Sequence, residues 1–454
     1  MREIGYRVVD HLVEHLTSLG TQPVGAKGDP AVLIPAFDQP PPEHGMEFET
    51  VLAEVERNVL ANTMHVNHPR FFAYVPGPSN FVGAMADALV SGYNVFAGTW
   101  LSGSGPAALE LAVLNWLREA CGLPESAGGL FVSGGTMANL TALAVARHVA
   151  LADRADGATV YFSDQVHSSL EKALRLIGIP PSGFRRLPSD PGYRLPVQTL
   201  AQRIEQDRAD GMKPFCVIAS AGTTNTGAID PLPEISRLCR QQNLWLHVDG
   251  AYGAAAALSP RVRQLLPGLE LADSLSLDPH KWLFQPFEIG CVLVRDLTHL
   301  RDTFRMLPEY LKDTHQQNEE FNFTDYGLQL TRSFRALKLW MSIKVFGMAS
   351  IRAAIERGVA IAEFLESRLR RMPGWEIVTP AQMAVLCFRY TAADDAAHLR
   401  LVQAILEDGF ALITSTVLRG RTVLRACTIN PRTTEADVSA TLEKIDVLAR
   451  RLRQ

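Results

Sequence analysis

The sequence of 454 residues lacks the features that place a protein in a membrane or outside the cell. Its six cysteines lie far apart, at positions 121, 216, 239, 291, 387 and 427, without any CxxC pair. Several occur in strand-like apolar runs, so we interpret them as reduced core residues of a cytoplasmic protein. No apolar run approaches the roughly 20 residues that a membrane span needs. Residues 1–10 are amphipathic and lack the apolar core of a signal peptide.

A strong charge of one sign is also missing. The net charge is −4 and no block of basic residues occurs, so we expect neither nucleic acid nor an anionic membrane as a partner. The sequence contains no internal repeat and no low-complexity tract. A composition of 47% hydrophobic and 20% charged residues is typical of a globular protein, and the length allows two or three structural units.

Three regions of the chain differ in their pattern. The pattern of residues 1–75 predicts an arm of helices and loops that has little core of its own. Residues 76–345 alternate short, almost continuously apolar strands with helices, which predicts an α/β fold with a mostly parallel sheet between helices. Residues 346–454 predict a small α+β domain. The predicted strands are 129–133, 159–162, 215–219, 244–248, 274–277 and 291–294 in the large region, and 385–390 and 422–429 in the small one.

The sequence Leu-Asp-Pro-His-Lys-Trp-Leu at residues 277–283 is the most informative of the chain. Its Lys281 stands in an apolar context, where an ammonium is costly unless it is paired or chemically used, for example in a Schiff base with an aldehyde cofactor. Asp249, at the end of another apolar strand, could hold a pyridinium nitrogen. Taken singly, the aspartate could be a cap residue and the lysine could reach solvent. Together they indicate a site for pyridoxal phosphate (PLP).

Three further segments follow predicted strands. Gly135 and Thr136 lie in a glycine-rich turn that opens a helix, which suits an anion such as phosphate but is a common arrangement. His167 could stack on a pyridine ring, or could belong to a helix cap region. Thr224 could hydrogen-bond the cofactor or Asp249, or lie in an ordinary polar turn. We expect no metal, because neither His247 with Asp249 nor the pair His65 and His68 has a third ligand at suitable spacing.

These residues lie in longer motifs through which the chain resembles the group II PLP-dependent decarboxylases, above all those that act on aromatic amino acids. The resemblance runs from about Tyr6 to at least Leu424. It is carried by residues 68–75, 163–169, 247–252, 278–282, 310–312 and 333–340. It implies PLP fold type I with a mostly parallel seven-stranded sheet. It also implies a homodimer in which the N-terminal arm is exchanged and the active sites are shared.

The resemblance also implies roles for single residues. Lys281 would bind the cofactor covalently, Asp249 would pair with the pyridinium nitrogen and His167 would stack on the ring. Thr224 and Ala251 would contact the cofactor as well, and Gly135, Thr136, Asp278 and His280 match positions of the phosphate site. Asp278 departs from the animal aromatic enzymes, which carry asparagine there. A carboxylate cannot donate to phosphate unless it is protonated, so Asp278 could act through its backbone or orient a neighbour.

Tyr310 matches the tyrosine that, in this family, a mobile loop brings from the partner subunit to protonate the carbanion. Relatives with phenylalanine there tend to form aldehydes with oxygen, so Tyr310 favours amine formation over an aldehyde synthase.

The identity of the substrate is the least constrained inference. The aromatic residues around the segments that line the family's side-chain pocket favour a flat apolar group. The pocket residues that the resemblance implies are Phe71, Tyr74, Gly77, Phe96, Gly98 and Thr331. Val66 and Gly98 replace larger aromatic residues of the animal enzymes and are expected to enlarge the pocket, whereas Thr331 leans toward phenolic substrates.

The expected activity is therefore decarboxylation of an aromatic L-amino acid of the tyrosine, dopa or tryptophan type to the amine. An aldehyde synthase, a decarboxylase for a glutamate-like or histidine-like substrate, and a catalytically silent paralogue remain as alternatives.

Overall fold

The computed structural model describes residues 1–306 and 320–451. The chain forms two compact units. The first comprises Met1–Pro76, Ile361–Pro380 and Leu386–Gln454, and the second comprises Gly77–Ala360 and Ala381–Val385. The predicted division into an arm, a large domain and a small domain stays a prediction.

Helices and strands alternate along most of the described chain. The helices are α1 (Arg2–Ser18), α2 (Pro30–Phe37), α3 (Phe48–Asn58), α4 (Phe81–Tyr93), α5 (Trp100–Cys121), α6 (Gly135–Leu151), α7 (Ser168–Leu176), α8 (Val197–Ala209), α9 (Leu232–Gln242), α10 (Pro260–Arg263), α11 (Leu297–Phe304), α12 (Ala336–Leu369), α13 (Asp395–Asp408) and α14 (Glu435–Arg451). The strands are β1 (Gly128–Val132), β2 (Ala158–Ser163), β3 (Phe184–Leu187), β4 (Lys213–Ser220), β5 (Trp245–Asp249), β6 (Ser274–Leu277), β7 (Gly290–Val294), β8 (Trp375–Gln382), β9 (Val385–Tyr390), β10 (Thr414–Leu418) and β11 (Arg421–Cys427). Within the described ranges, no helix has the length and apolar character needed to cross a membrane.

The second unit is built on a seven-stranded sheet of order β1-β7-β6-β5-β4-β2-β3. Every neighbouring pair from β6 to β3 is parallel, and only β7 runs against its neighbours. Strands β2, β6 and β7 are buried along their whole length, which explains their continuous apolar sequences, because both faces are covered. The predicted α/β fold with a mostly parallel sheet is confirmed.

The direction of the strands gathers several loops at one edge of this sheet. Strands β2, β4, β5 and β6 are mutually parallel. Because β1 and β6 are both antiparallel to β7, β1 points the same way as β6. The segments that follow these five strands therefore leave the sheet at its carboxyl edge, where ligands bind in such folds.

The first unit contains a four-stranded sheet of order β10-β11-β9-β8 and the three N-terminal helices. A small core of this unit joins Val24, Phe71, Ala73 and Leu412. None of the residues in α1, α2 or α3 is buried, although α2 has the strongly apolar sequence Pro-Ala-Val-Leu-Ile-Pro-Ala-Phe. The N-terminal helices thus expose a large apolar surface.

A buried ion pair links α5, β1 and the segment before α12 in the second unit. The guanidinium of Arg332 donates to Glu110 Oε1 at 2.6 Å and to the Phe131 carbonyl oxygen at 2.9 Å. The same Glu110 oxygen accepts from the backbone N–H of Phe131 at 3.0 Å. Both side chains are at most 1% exposed. The pair therefore binds both the N–H and the carbonyl oxygen of Phe131 in β1, the strand that leads into the glycine-rich turn.

Replacing Arg332 with methionine is expected to lower the free energy of unfolding by about 3–5 kcal/mol, because Glu110 would remain buried without its charged partner. Urea denaturation of the apoprotein measures the change. The matched control is Arg370→Ala, which removes the partner of Glu366 from a largely exposed position and should cost several times less. Adding Glu110→Leu to Arg332→Met should recover part of the loss. Equal stability of Arg332→Met and wild type would contradict this assignment.

Candidate active site

A cavity of about 400 Å³ lies at the carboxyl edge of the seven-stranded sheet. All nine predicted cofactor contacts line it, although they come from distant parts of the sequence. They are Gly135 and Thr136 after β1, His167 after β2, Thr224 after β4, Asp249 and Ala251 at the end of β5, and Asp278, His280 and Lys281 after β6. The structure therefore brings the predicted residues together in one place.

The amino end of α6 forms one wall of this cavity. Gly134 precedes the helix and no side chain caps its first N–H groups, so these donors and the helix dipole are available to an anion. A Cβ atom on Gly135 would lie 2.8 Å from Asp278 Oδ2 and 3.0 Å from the Ala251 Cβ. Glycine is therefore required here by close packing against the turns that follow β5 and β6.

Lys281 pairs with Asp278 across the turn that follows β6. The Lys281 Nζ atom lies 2.9 Å from Asp278 Oδ2, and the aspartate side chain is 1% exposed. His280 Nδ1 accepts from the backbone N–H of Ile289, and burial lowers the pKa of His280. The neutral imidazole therefore carries its proton on Nε2, which lies 3.7 Å from Asp278 Oδ2. Asp278 is thus held by the cation of Lys281 and faces the N–H of His280.

Asp249 ends β5 with its carboxylate fixed by three donors. Its Oδ1 accepts from the Ser276 hydroxyl at 3.0 Å and from the backbone N–H of Ala251 at 3.1 Å. Its Oδ2 accepts from the Asn139 amide at 3.3 Å. The half-buried carboxylate of Asp249 lines the cavity and is held by neutral donors, so a cationic ligand group can pair with it.

His167 combines two structural properties. Its Nδ1 accepts from the backbone N–H of Ser169 at 3.2 Å, so the ring caps α7. The Ser169 hydroxyl also lies 2.8 Å from Nδ1. The side chain of His167 is exposed where it faces the cavity. The surrounding protein still displaces part of the water around the ring, and this desolvation lowers the pKa of His167. His167 therefore caps α7 and also borders the cavity, and its stacking on a pyridine ring stays a prediction.

The predicted substrate-pocket residues do not line this cavity, as far as the described chain shows. Phe71 packs in the core of the first unit and Tyr74 of that unit is exposed. Gly77, Phe96, Gly98 and Thr331 belong to the second unit. A Cβ on Gly98 would lie 2.5 Å from the Phe96 Cζ. This corrects the expectation that Gly98 leaves open space, because the Phe96 ring fills it. Tyr310 lies outside the described residues.

Three cavity-side residues have roles that sequence reasoning missed, namely Asn139, Ser169 and Ser276. For Ser276 a weak signal was present, because it is a polar residue inside the sequence Ser-Leu-Ser-Leu of the buried strand β6. Within residues 1–306 and 320–451, no group of three or more His, Cys, Asp or Glu side chains could hold a metal ion.

The residues of the cavity fit a phosphorylated pyridine aldehyde. The glycine turn at the amino end of α6 offers free N–H donors to a phosphate. Asp249 provides a carboxylate for a ring nitrogen, and Lys281 provides an amine for an aldehyde carbon. Fold and cavity together define the class of PLP enzymes of fold type I.

Comparison with known proteins identifies a family within this class of PLP enzymes. Residues 30–391 match the model of the pyridoxal-dependent decarboxylase conserved domain. An aromatic-L-amino-acid decarboxylase of Bacillus atrophaeus is 46% identical over 99% of this chain and 95% of its own length. A phenylacetaldehyde synthase of Arabidopsis thaliana is 31% identical over 96% of this chain and 93% of its own length. The crystal structure of Oryza sativa TDC with PLP and tryptamine has a TM-score of 0.93 at 30% identity, covering 100% of this chain and 98% of that one.

The chain belongs to the pyridoxal-dependent decarboxylase family. It is a PLP-dependent carboxy-lyase, and pyridoxal 5'-phosphate is its cofactor.

Substituting Asp278 with asparagine is expected to tighten PLP binding by about threefold to tenfold. The Asp278 carboxylate lies against the first residue of α6, where it repels a phosphate bound at the helix end. An amide removes this repulsion and can donate a hydrogen bond. Titration of the apoprotein with PLP, followed by the absorbance of the bound cofactor, gives the dissociation constant.

Asp210→Asn serves as the control, because it removes one negative charge from an exposed position of the same unit and should leave the affinity unchanged. Weaker binding by Asp278→Asn would show instead that its ion pair with Lys281 supports the cofactor.

Proposed function

We propose that this enzyme decarboxylates aromatic L-amino acids to the corresponding amines and carbon dioxide. The observation that carries the proposal is the convergence of Lys281, Asp249 and His167 on one cavity. The 46% identity to an aromatic-L-amino-acid decarboxylase supports the substrate class. The three residues together also argue against a catalytically silent paralogue.

The residues of the cavity have different roles toward the cofactor. When bound, PLP supplies an electron sink for the electrons that a broken bond leaves on the substrate. Lys281 would hold the cofactor through its aldehyde group, and its amine could take up or release a proton near the reacting atoms. Asp249 holds the proton on the ring nitrogen, and His167 covers the ring. The amino end of α6, with Gly135 and Thr136, binds the phosphate.

The charges around the cavity favour an apolar substrate side chain over an acidic one. Asp249, Asp278 and Glu288 all line it. Among the described lining residues, Lys281 is the single Lys or Arg side chain. Arg335 pairs with Glu288 at 2.8 Å, so its charge is already matched. The described lining residues therefore offer no unmatched cation to a second substrate carboxylate, which would be desolvated without a partner. We therefore place glutamate-like substrates well behind aromatic ones.

Amine formation, rather than aldehyde synthesis, rests on Tyr310 and hence on the sequence. We propose that its hydroxyl donates the proton that completes the amine. The 31% identity to a phenylacetaldehyde synthase makes this the main competing reaction on the same scaffold.

A product analysis over a panel of L-amino acids tests the activity. Tyrosine, dopa and tryptophan are expected to exceed glutamate by at least about a hundredfold in kcat/KM, which corresponds to about 3 kcal/mol, and to give amines with little aldehyde or hydrogen peroxide under air. Lys281→Ala is the matched control and should be folded but inactive, because the amine that binds the cofactor is gone. Glutamate as the best substrate would refute the aromatic proposal, and aldehyde as the main product would refute the role of Tyr310.

We further propose that the enzyme is a homodimer in which the N-terminal helices of one subunit are covered by the other. The support is the exposed apolar surface of α1 to α3, including Val32, Ile34 and Phe37 on α2. The family resemblance implies the same arrangement, with active sites shared between the subunits.

A cytoplasmic location is proposed as well, since all six cysteines are free and buried.

Sedimentation equilibrium at micromolar concentration is expected to give twice the chain mass for the wild type. Ile34→Glu should shift the equilibrium toward monomer, because it places a charge on the apolar surface of α2. The control Leu399→Glu changes a similarly exposed residue on α13 and should remain dimeric. A monomeric wild type, or a dimer insensitive to Ile34→Glu, would contradict the proposed interface.

A further inference from the structure

One buried amide, that of Asn139, connects two of the residues placed above at the cofactor. Its nitrogen lies 3.3 Å from Asp249 Oδ2 and 3.1 Å from the Ser169 hydroxyl. Its oxygen lies 3.1 Å from Nε2 of His247. Asn139 is 1% exposed and His247 is fully buried. Neither residue is expected to touch the reacting atoms, so any role they have is exerted through their neighbours.

The orientation of this amide follows from the chemistry of its partners. An ionised carboxylate can only accept hydrogen bonds, so the NH₂ group of Asn139 must face Asp249 and its oxygen must face His247. His247 must then carry a proton on Nε2. Burial lowers the pKa of His247 to about 4, so the ring is neutral and its Nδ1 accepts a hydrogen bond from the Ser274 hydroxyl, 2.9 Å away.

The hydrogen bonds that lead from Trp245 through Ser274 and His247 to Asn139 have a fixed direction at their first donor. The indole N–H of Trp245 can only donate, and it does so to the Ser274 hydroxyl at 2.9 Å. That contact leaves the Ser274 proton free for His247 Nδ1, in agreement with the tautomer that the oxygen of Asn139 requires. Each hydrogen bond from Trp245 to Asp249 therefore has a single direction, set by groups that cannot reverse.

A second branch leaves the same amide toward His167. The Ser169 hydroxyl accepts from Asn139, so its own proton is free to point to His167 Nδ1 at 2.8 Å. With the backbone N–H of Ser169 donating to the same nitrogen, the proton of neutral His167 stands on Nε2. One amide thus holds the carboxylate of Asp249 and, through the Ser169 hydroxyl, supports the tautomer of His167 that the backbone N–H of Ser169 sets.

We propose that Asn139, oriented by His247, is a positioning residue that sets both groups for the cofactor ring. The inference rests on the proposed roles of Asp249 and His167. If His247 no longer donates, the buried oxygen of Asn139 loses its partner, and the amide gains by turning that oxygen toward the Ser169 hydroxyl, which can donate and lies on the same side as Asp249. Such a turn points its oxygen at Asp249 and replaces an attraction by a repulsion. Asp249 then holds a protonated ring nitrogen less well.

Two variants remove the contact and one preserves it. His247→Phe keeps an aromatic ring without a donor, and Asn139→Leu keeps the volume without the amide. His247→Gln places an N–H near the original Nε2 and should retain the orientation of Asn139. Each is prepared as apoprotein and titrated with PLP, and the ring-nitrogen-labelled cofactor is then studied by NMR in the holoenzyme at a fixed alkaline pH.

His247→Phe and Asn139→Leu are each expected to weaken PLP binding by about tenfold or more, which is the cost of an unpaired buried polar group. The ratio of protonated to neutral ring nitrogen should fall by about the same factor. His247→Gln should stay within about threefold of the wild type in both measurements. If His247→Phe does not fold, Asn139→Leu and His247→Gln decide the question.

A matched control separates positioning from a general effect on the fold. His398 is also fully buried, with Nε2 accepting from the backbone N–H of Tyr390 and Nδ1 bonded to the Asp394 carbonyl oxygen. It lies in the first unit, and His398→Phe should lower the melting temperature without changing PLP affinity or ring protonation. The proposal is overturned if His247→Phe behaves like this control, or if His247→Gln is as impaired as His247→Phe.

These readouts are independent of substrate. A wild type that releases no carbon dioxide from any amino acid would refute the proposed function, whereas altered cofactor binding in the variants would still support the positioning role.

Discussion

The common direction of six of the seven strands in the large sheet is the constraint on which the site depends. Strands β1, β2, β4, β5 and β6 end at the same edge. Apolar strands buried on both faces leave few interior places for polar groups, so the residues that carry charge collect beyond the strand ends. Lys281 and Asp249, whose strands are neighbours, thereby meet in one cavity, and the amino end of α6 reaches the same place.

Much of this arrangement could be predicted from the sequence, because central strands and their following turns have strong signals. The interior strands β4, β5 and β9 are apolar runs, and the residues after them are conspicuously polar or glycine-rich. Lys281 was identifiable because an ammonium within an apolar stretch requires a reason. Asp249 stood out in the same way at the end of β5.

The remaining features depend on contacts that a linear pattern does not contain. The three strands that prediction missed, β3, β8 and β10, all lie at the edge of a sheet, where burial is incomplete and residues such as Arg185 and Arg186 are tolerated. The bond between Asn139 and His247 requires α6 to pack on β5. The ring of Phe96 fills the space at Gly98 through a turn of the chain that composition cannot indicate.

The two positions that His167 occupies, at the start of α7 and at the cavity, affect how experiments on this enzyme are interpreted. Because its ring both borders the cavity and caps α7, a substitution there alters the start of a helix as well as the cofactor environment. A loss of rate in His167→Ala would mix the two effects. Asparagine, which can cap a helix but cannot stack like an imidazole, separates them. The Nδ1 atom of His167 holds the start of α7, while the ring that carries it borders the cavity. A substitution at this position therefore changes the helix and the cavity together.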